Sequence, residues 1–251
     1  MAKIEWKVEG AVRTVLLNRP EKRNALDGDM MEQLKAAFTT PPADTERVAV
    51  IRAAGPVFCA GLDMAWRAKN AKGESGIERM LHAVEVYPLP VVGIVNGDAI
   101  AGGNELALHC DLVVASDKAR FGMSLAQVGL APSWFLAKKL LEVGGPALTR
   151  KILLLGDPLP SQRFYDLGLI SHLATPEELE ATAAAVIQRL ADNAPLSLRA
   201  MKALINREMQ FRDQIHHEDI DVIVEKARSS QDAQEGTRAR LERRKAVFKG
   251  Q

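Results

Sequence analysis

At 251 residues the chain is long enough to bury a substantial apolar core in one domain. Its 33 lysines and arginines almost cancel its 32 aspartates and glutamates, so no overall field draws in nucleic acid or an anionic membrane, and a small-molecule partner is favoured. No run approaches the ~18 apolar residues of a membrane span and the N-terminus lacks a signal-like apolar stretch; with the only cysteines, Cys59 and Cys110, amid small or apolar neighbours, a reducing, cytoplasmic setting is expected.

Residues 11–18 are β-branched and apolar and end at Arg19-Pro20, which predicts a strand of a first hairpin. From Asp27, a candidate N-cap, Met30, Leu34, Ala37 and Phe38 recur at helical spacing. A second buried strand over 48–53 runs through Gly55-Pro56 into Phe58-Cys59-Ala60-Gly61-Leu62-Asp63, a glycine-bearing strand exit suited to a functional loop. Residues 65–80, with Lys69, Asn70, Lys72, Gly73, Glu74 and Ser75, are polar without an apolar period and read as a mobile lid or loop. Pro88 and Pro90 introduce a strand over 91–96, followed by Gly102-Gly103, a short helix over 104–109 and a strand over 112–115.

After Gly129 a helix is predicted to stop at Gly144-Gly145, followed by helical stretches over 146–155 and 161–167 and a strand over 170–173. Beyond Pro176 the pattern is helical: 177–191, 196–207, and a last helix ending in Arg243-Arg244-Lys245-Ala246-Val247-Phe248. Alternating β and α units followed by helices predict an α/β core with a helical appendage. The basic stretch 238–245 is interrupted by Leu241 and Glu242 and reads as a solvated helix face.

Two segments could carry chemistry. Ala101-Gly102-Gly103-Asn104-Glu105 is a strand-to-helix turn whose glycines leave N–H groups open to a negative oxygen; Phe58-Cys59-Ala60-Gly61-Leu62-Asp63 is a second strand exit of the same kind. Either alone is more often a plain tight turn.

Together, and in order, these segments resemble the enoyl-CoA hydratase/isomerase (crotonase) superfamily over essentially the whole chain. Matching stretches include Leu17-Asn18-Arg19-Pro20-Glu21-Lys22-Arg23-Asn24-Ala25-Leu26, Pro90-Val91-Val92-Gly93-Ile94-Val95-Asn96-Gly97, Cys110-Asp111, Asp166-Leu167-Gly168-Leu169-Ile170 and Glu242-Arg243-Arg244-Lys245-Ala246-Val247-Phe248. The resemblance implies a crotonase (ClpP-like) fold: a ββα-superhelix spiral core over 1–195 carrying the CoA and acyl site, and a helical C-terminal trimerisation region over 196–251 of the same unit. It also implies trimers or dimers of trimers, and an acyl-CoA substrate whose coenzyme A enters as part of the thioester, with no separate cofactor and no metal.

In such enzymes two backbone N–H groups hold the thioester oxygen as an enolate forms. By resemblance these are the amides of Leu62 and Gly102, and fixed backbone donors suit the task because they need no reorganisation as charge appears. Glu105 maps onto one of two catalytic glutamates of the hydratases. The resemblance places Lys22 near the CoA phosphates and adenine, and Phe248 and Lys249 in a region that approaches CoA of a neighbouring subunit. Ala60, Asp63, Leu125, Ser133 and Trp134 are expected around the substrate, with Ser124 and Gln127 as further candidates. The second hydratase glutamate is missing: counting from Phe121-Gly122, its position holds Leu125, which cannot move a proton. Hydration, isomerisation by Glu105 alone, methylmalonyl-CoA decarboxylase-like chemistry and thioester hydrolysis all stay open, as does a catalytically silent acyl-CoA-binding protein. Ser133 lacks a Gly-x-Ser-x-Gly setting and is not cast as a nucleophile.

Overall fold

The computed structural model describes residues 2–70 and 76–251. Strands β1 (Ile4–Glu9) and β2 (Val12–Leu17) form the predicted hairpin, with Ile4 opposite Leu17. Period-2 alternation buries Arg13, Val15 and Leu17. Helix α1 (Gly28–Thr39) starts where Asp27 Oδ1 accepts the Met30 N–H at 3.0 Å, and its stripe of Met30, Leu34, Ala37 and Phe38 is buried. Strand β3 (Val48–Ala53) lies parallel to β2. Helices α2 (Met64–Lys69) and α3 (Ile77–Glu85) then lead to β4 (Val91–Val95), all of whose residues are buried.

The span 65–80 is therefore not a continuous loop. Asp63 caps α2 by accepting the Ala65 and Trp66 N–H groups, and α3 buries Ile77, Met80, Leu81 and Val84, a period cut short by the polar residues before it. Lys72, Gly73, Glu74 and Ser75 lie outside the described residues.

A two-residue β5 (Ala99–Ile100) precedes α4 (Gly102–Leu108); β6 (Leu112–Ser116), β7 (Arg120–Gly122) and α5 (Trp134–Arg150) follow. Within α5, Gly145 (φ 64°, ψ 175°) breaks the helix and Pro146 opens its second half, at the stop that Gly144-Gly145 predicts. Next come β8 (Leu159–Pro160), α6 (Ser161–Asp166), β9 (His172–Ala174) and α7 (Leu179–Ala191). The chain continues with α8 (Pro195–Met209), α9 (Glu218–Ser229) and α10 (Gln231–Glu242).

The main sheet runs β1-β2-β3-β4-β6-β9, parallel after the first hairpin, and a small sheet β5-β7-β8 stands beside it. Alternate residues of β3 and β4 divide between two cores: Val48, Val50, Val92 and Ile94 meet Leu179, Ala183 and Val186 of α7, while Ala49, Ile51, Val91 and Val95 face the cluster that includes α1, α3 and α4. The last helix ends at Glu242, with Arg243 left-handed (φ 57°), so Lys245 to Phe248 are not helical as the sequence pattern suggests. Before that, α10 folds back onto the body. A β-carbon on Gly236 would lie 2.3 Å from the Val128 carbonyl oxygen, and one on Gly129 2.6 Å from that of Asp232. Only glycine permits this approach.

Candidate active site

The strand exit after β3 and the turn before α4 are held edge to edge. The Ile100 N–H donates to the Cys59 carbonyl (2.9 Å) and the Cys59 N–H to that of Asp98 (3.2 Å). On the other side the Leu26 N–H donates to Gly61 (2.7 Å) and the Asp63 N–H to Leu26 (2.8 Å). Because successive amides of an extended chain point to opposite sides, the Leu62 N–H faces away from Leu26, and among the described residues it has no backbone acceptor. Gly102 begins α4, so its N–H is one of the orphan donors of a helix start. Ala101 enters at φ 51°, ψ −117°, a strained conformation for a residue with a β-carbon, with its N–H tied to the Gly122 carbonyl at 2.7 Å. Gly103 packs so closely that a β-carbon there would stand 2.1 Å from the Cys59 oxygen.

Both amide-bearing residues border one cavity of about 980 Å³, in the range of small-molecule sites. Ala60, Leu62, Ala101 and Gly102 form one wall; Met123, Leu125, Leu130 and Leu136 supply an apolar one. Arg67 of α2, Glu78 and Arg79 of α3, Asp221, Glu225 and Arg228 of α9, and Arg240 of α10 bring charge to its rim.

One turn along α4 from Gly102, the Glu105 carboxyl is fully buried and neither oxygen has a hydrogen-bond partner among the described residues. Burial pushes its pKa up to about 8, against the opposing pull of Lys139, so the carboxyl is held protonated near neutral pH. His109 is equally buried: its Nδ1 lies 2.7 Å from the Glu105 carbonyl oxygen and 3.9 Å from the Glu105 carboxyl, and its ring stacks on Phe135 at 5.1 Å. Burial lowers its pKa to about 4, with the Lys139 charge adding to the effect, leaving a neutral imidazole. Lys139 is paired with Glu85 and, at 3.4 Å, Glu142.

A family model of enoyl-CoA hydratase/isomerase matches residues 7–251. The chain belongs to the enoyl-CoA hydratase/isomerase family. Among its relatives, the probable enoyl-CoA hydratase echA6 of Mycobacterium bovis is 32% identical over 96% of each chain. The solved structure of an enoyl-CoA hydratase from Mycobacterium avium subsp. paratuberculosis superposes with a TM-score of 0.86 at 26% identity, covering 99% of both chains. A methylmalonyl-CoA decarboxylase reaches 0.91 at 22% identity, covering 99% of this chain and 98% of that one; at that identity it speaks for the fold. The crotonase fold expected from the sequence is the fold found.

Within this family member, the structure gathers Leu62, Gly102, Ala60, Leu125 and Ser133 around one cavity, with Glu105 buried one turn behind Gly102. Ser133 also caps α5 by accepting the Leu136 N–H, at a long 3.4 Å. The remaining predicted substrate contacts fall elsewhere. Asp63 is committed to capping α2 and to an ion pair with Arg19 at 2.9 Å. Trp134 stacks on His217, the residue before α9, with centroids 4.5 Å apart, so its indole is drawn away from the cavity wall. Lys22 and Phe248 are exposed and border no part of the cavity. Ser124 lines the cavity, whereas Gln127 bonds Leu155 and Asp157 on the surface. Sequence reasoning missed Arg67, Arg228 and Met123, which the fold alone brings to the site.

Proposed function

We propose that this protein acts on acyl-CoA thioesters by polarising the thioester carbonyl between the Leu62 and Gly102 amides, with Glu105 as the carboxyl for proton transfer. The observation that carries this reading is the pair of unoccupied backbone donors on facing strand exits, bordering one cavity. Donors fixed by the surrounding hydrogen bonds stabilise the enolate oxygen without reorganising, and removing one such donor costs about 3–4 kcal/mol of transition-state stabilisation. A protonated Glu105 near pH 7 supplies a proton to an enolate carbon and, once ionised, takes one back.

Leu125, which by the family resemblance takes the place of a second carboxylate needed to handle water, lines the cavity. That favours reactions asking for one acid/base group or none to start: double-bond isomerisation through Glu105, or loss of carbon dioxide from a carboxylated acyl thioester, which generates the same enolate. The coenzyme A enters with the substrate, and Lys22, exposed and in no ion pair among the described residues, is our candidate for its phosphates. We further propose self-association through α8 and α9, whose Leu196, Leu204, Ile205, Val222 and Ile223 are more than 60% exposed.

The test is turnover of crotonyl-CoA, a 3-enoyl-CoA and methylmalonyl-CoA by the wild type and by Glu105→Gln. Turnover of at least one, reduced by the substitution, is the expected result. Binding of CoA esters without any turnover identifies a silent binder instead.

A further inference from the structure

The cavity that holds the two amides also carries more cation than a plain acyl chain needs. Arg67 reaches it from α2 and Arg228 from α9, both half-buried. Neither forms an ion pair among the described residues; the one hydrogen bond of Arg228 runs from Nε to the Ala131 carbonyl oxygen at 3.1 Å and leaves its terminal nitrogens uncommitted. Arg67 has no hydrogen bond from its guanidinium to any described residue. Their charges oppose each other: after burial, Arg228 is the larger influence depressing the Arg67 pKa, with Glu225 pulling the other way. Of the acids lining the cavity, Asp221 is taken by His217 at 2.8 Å, and neither Glu225 nor Glu78 forms an ion pair with Arg67 or Arg228 among the described residues. Two unpaired guanidiniums lining one partly desolvated cavity, near enough for each charge to act on the other, are unfavourable until an anion joins them, and guanidinium geometry matches a carboxylate with two parallel donors.

Position decides which anion. Arg67 lies on the last turn of the short helix α2, five residues after Leu62, so its backbone stands within roughly two helical turns of the Leu62 amide. We propose that Arg67 and Arg228 form a carboxylate clamp, and that the preferred substrates are thioesters whose acyl group ends in a second carboxylate. This deepens the thioester reading above and rests on it.

Equilibrium binding tests it without relying on turnover. Glutaryl-CoA, pentanoyl-CoA and free CoA are titrated into the wild type, Arg67→Met, Arg228→Met and Arg67→Lys, with folding of each variant checked by circular dichroism, and glutaryl-pantetheine and pentanoyl-pantetheine are titrated in parallel. The wild type should bind glutaryl-CoA on the order of tenfold or more tighter than pentanoyl-CoA. Each methionine variant should erase that preference while leaving pentanoyl-CoA binding unchanged, Arg67→Lys should keep part of it, and the preference should persist between the two pantetheine thioesters. Equal binding of the two acyl-CoAs by the wild type overturns the clamp and leaves the thioester reading standing. Loss of free CoA binding in the methionine variants, or a preference that vanishes with pantetheine, assigns the arginines to CoA phosphates and also overturns it. If no CoA ester binds, both readings fall.

Discussion

A β-carbon on Gly61 would stand 3.1 Å from the amide nitrogen of Gly102 and 2.9 Å from the Ile100 carbonyl oxygen. Gly61 also has φ +86°, a conformation that side chains rarely adopt. Gly61→Ala therefore acts on the spacing of the two amides rather than on any substrate contact. Its kcat on an active thioester should fall roughly a hundredfold, the scale of one lost oxyanion donor, with KM changing far less. A loss confined to KM would mean that these amides do not carry the transition state.

Glu105 and His109 make opposite contributions to stability across pH. Glu105, raised to about 8, holds its proton more tightly folded than unfolded, so the stability it confers is complete below about pH 4.5 and disappears as pH rises through 8. His109, lowered to about 4, works the other way, its contribution being present above 6.5 and lost as pH falls through 4. Between 4.5 and 6.5 the two trends oppose; from 6.5 to 8 the decline due to Glu105 stands alone. Glu105→Gln should flatten that decline, gaining about 1–3 kcal/mol on the wild type between pH 6 and 8.5, as read by urea denaturation at fixed pH steps. Parallel curves for the two proteins would show the carboxyl to be ionised in the fold.

Leu125 faces the cavity half-buried. Leu125→Glu should raise crotonyl-CoA hydration about tenfold or more, and Leu125→Gln should not, since only the acid can move a proton. Equal rates for both variants would remove the missing carboxylate as the reason for any weak hydration.

Far from the site, Arg13 and Glu46 pair at 2.8 Å with each side chain 2% exposed. Arg13 also donates to the Ala37 and Thr40 carbonyls and lies against the Trp6 and Tyr87 rings. Arg13→Met strands the carboxylate and should cost about 3–5 kcal/mol, whereas adding Glu46→Leu should recover much of it. Chemical denaturation of both variants decides between that coupling and simple additivity.

Elements with long periods were legible in the sequence: Asp27 and the Met30, Leu34, Ala37, Phe38 stripe give α1 outright, and the apolar run over 91–95 gives a strand buried on both faces. Strands of two or three residues, such as Ala99–Ile100 and Leu159–Pro160, are too short to show a period, so the small sheet escaped notice. In α9 the apolar residues Ile220, Val222 and Ile223 face outward, and a helix without a buried stripe resembles a solvated segment. At the site, glycine-rich turns mark the two strand exits, and the family resemblance picks out the amides of Leu62 and Gly102 within them. Arg67 and Arg228 could not, since their meeting depends on how helices far apart in sequence cross.

The return of α10 onto the turn at Val128 and Gly129 fastens one rim of the cavity. The β-strands and their glycine turns come from the first two-thirds of the chain, but the wall bearing Arg228 is α9, and the next helix, α10, is pinned to the body through Gly236. A mutation that loosens this contact, such as a bulky side chain at residue 236, would leave a folded sheet with a gaping site, so inactivation would precede unfolding as conditions grow harsher.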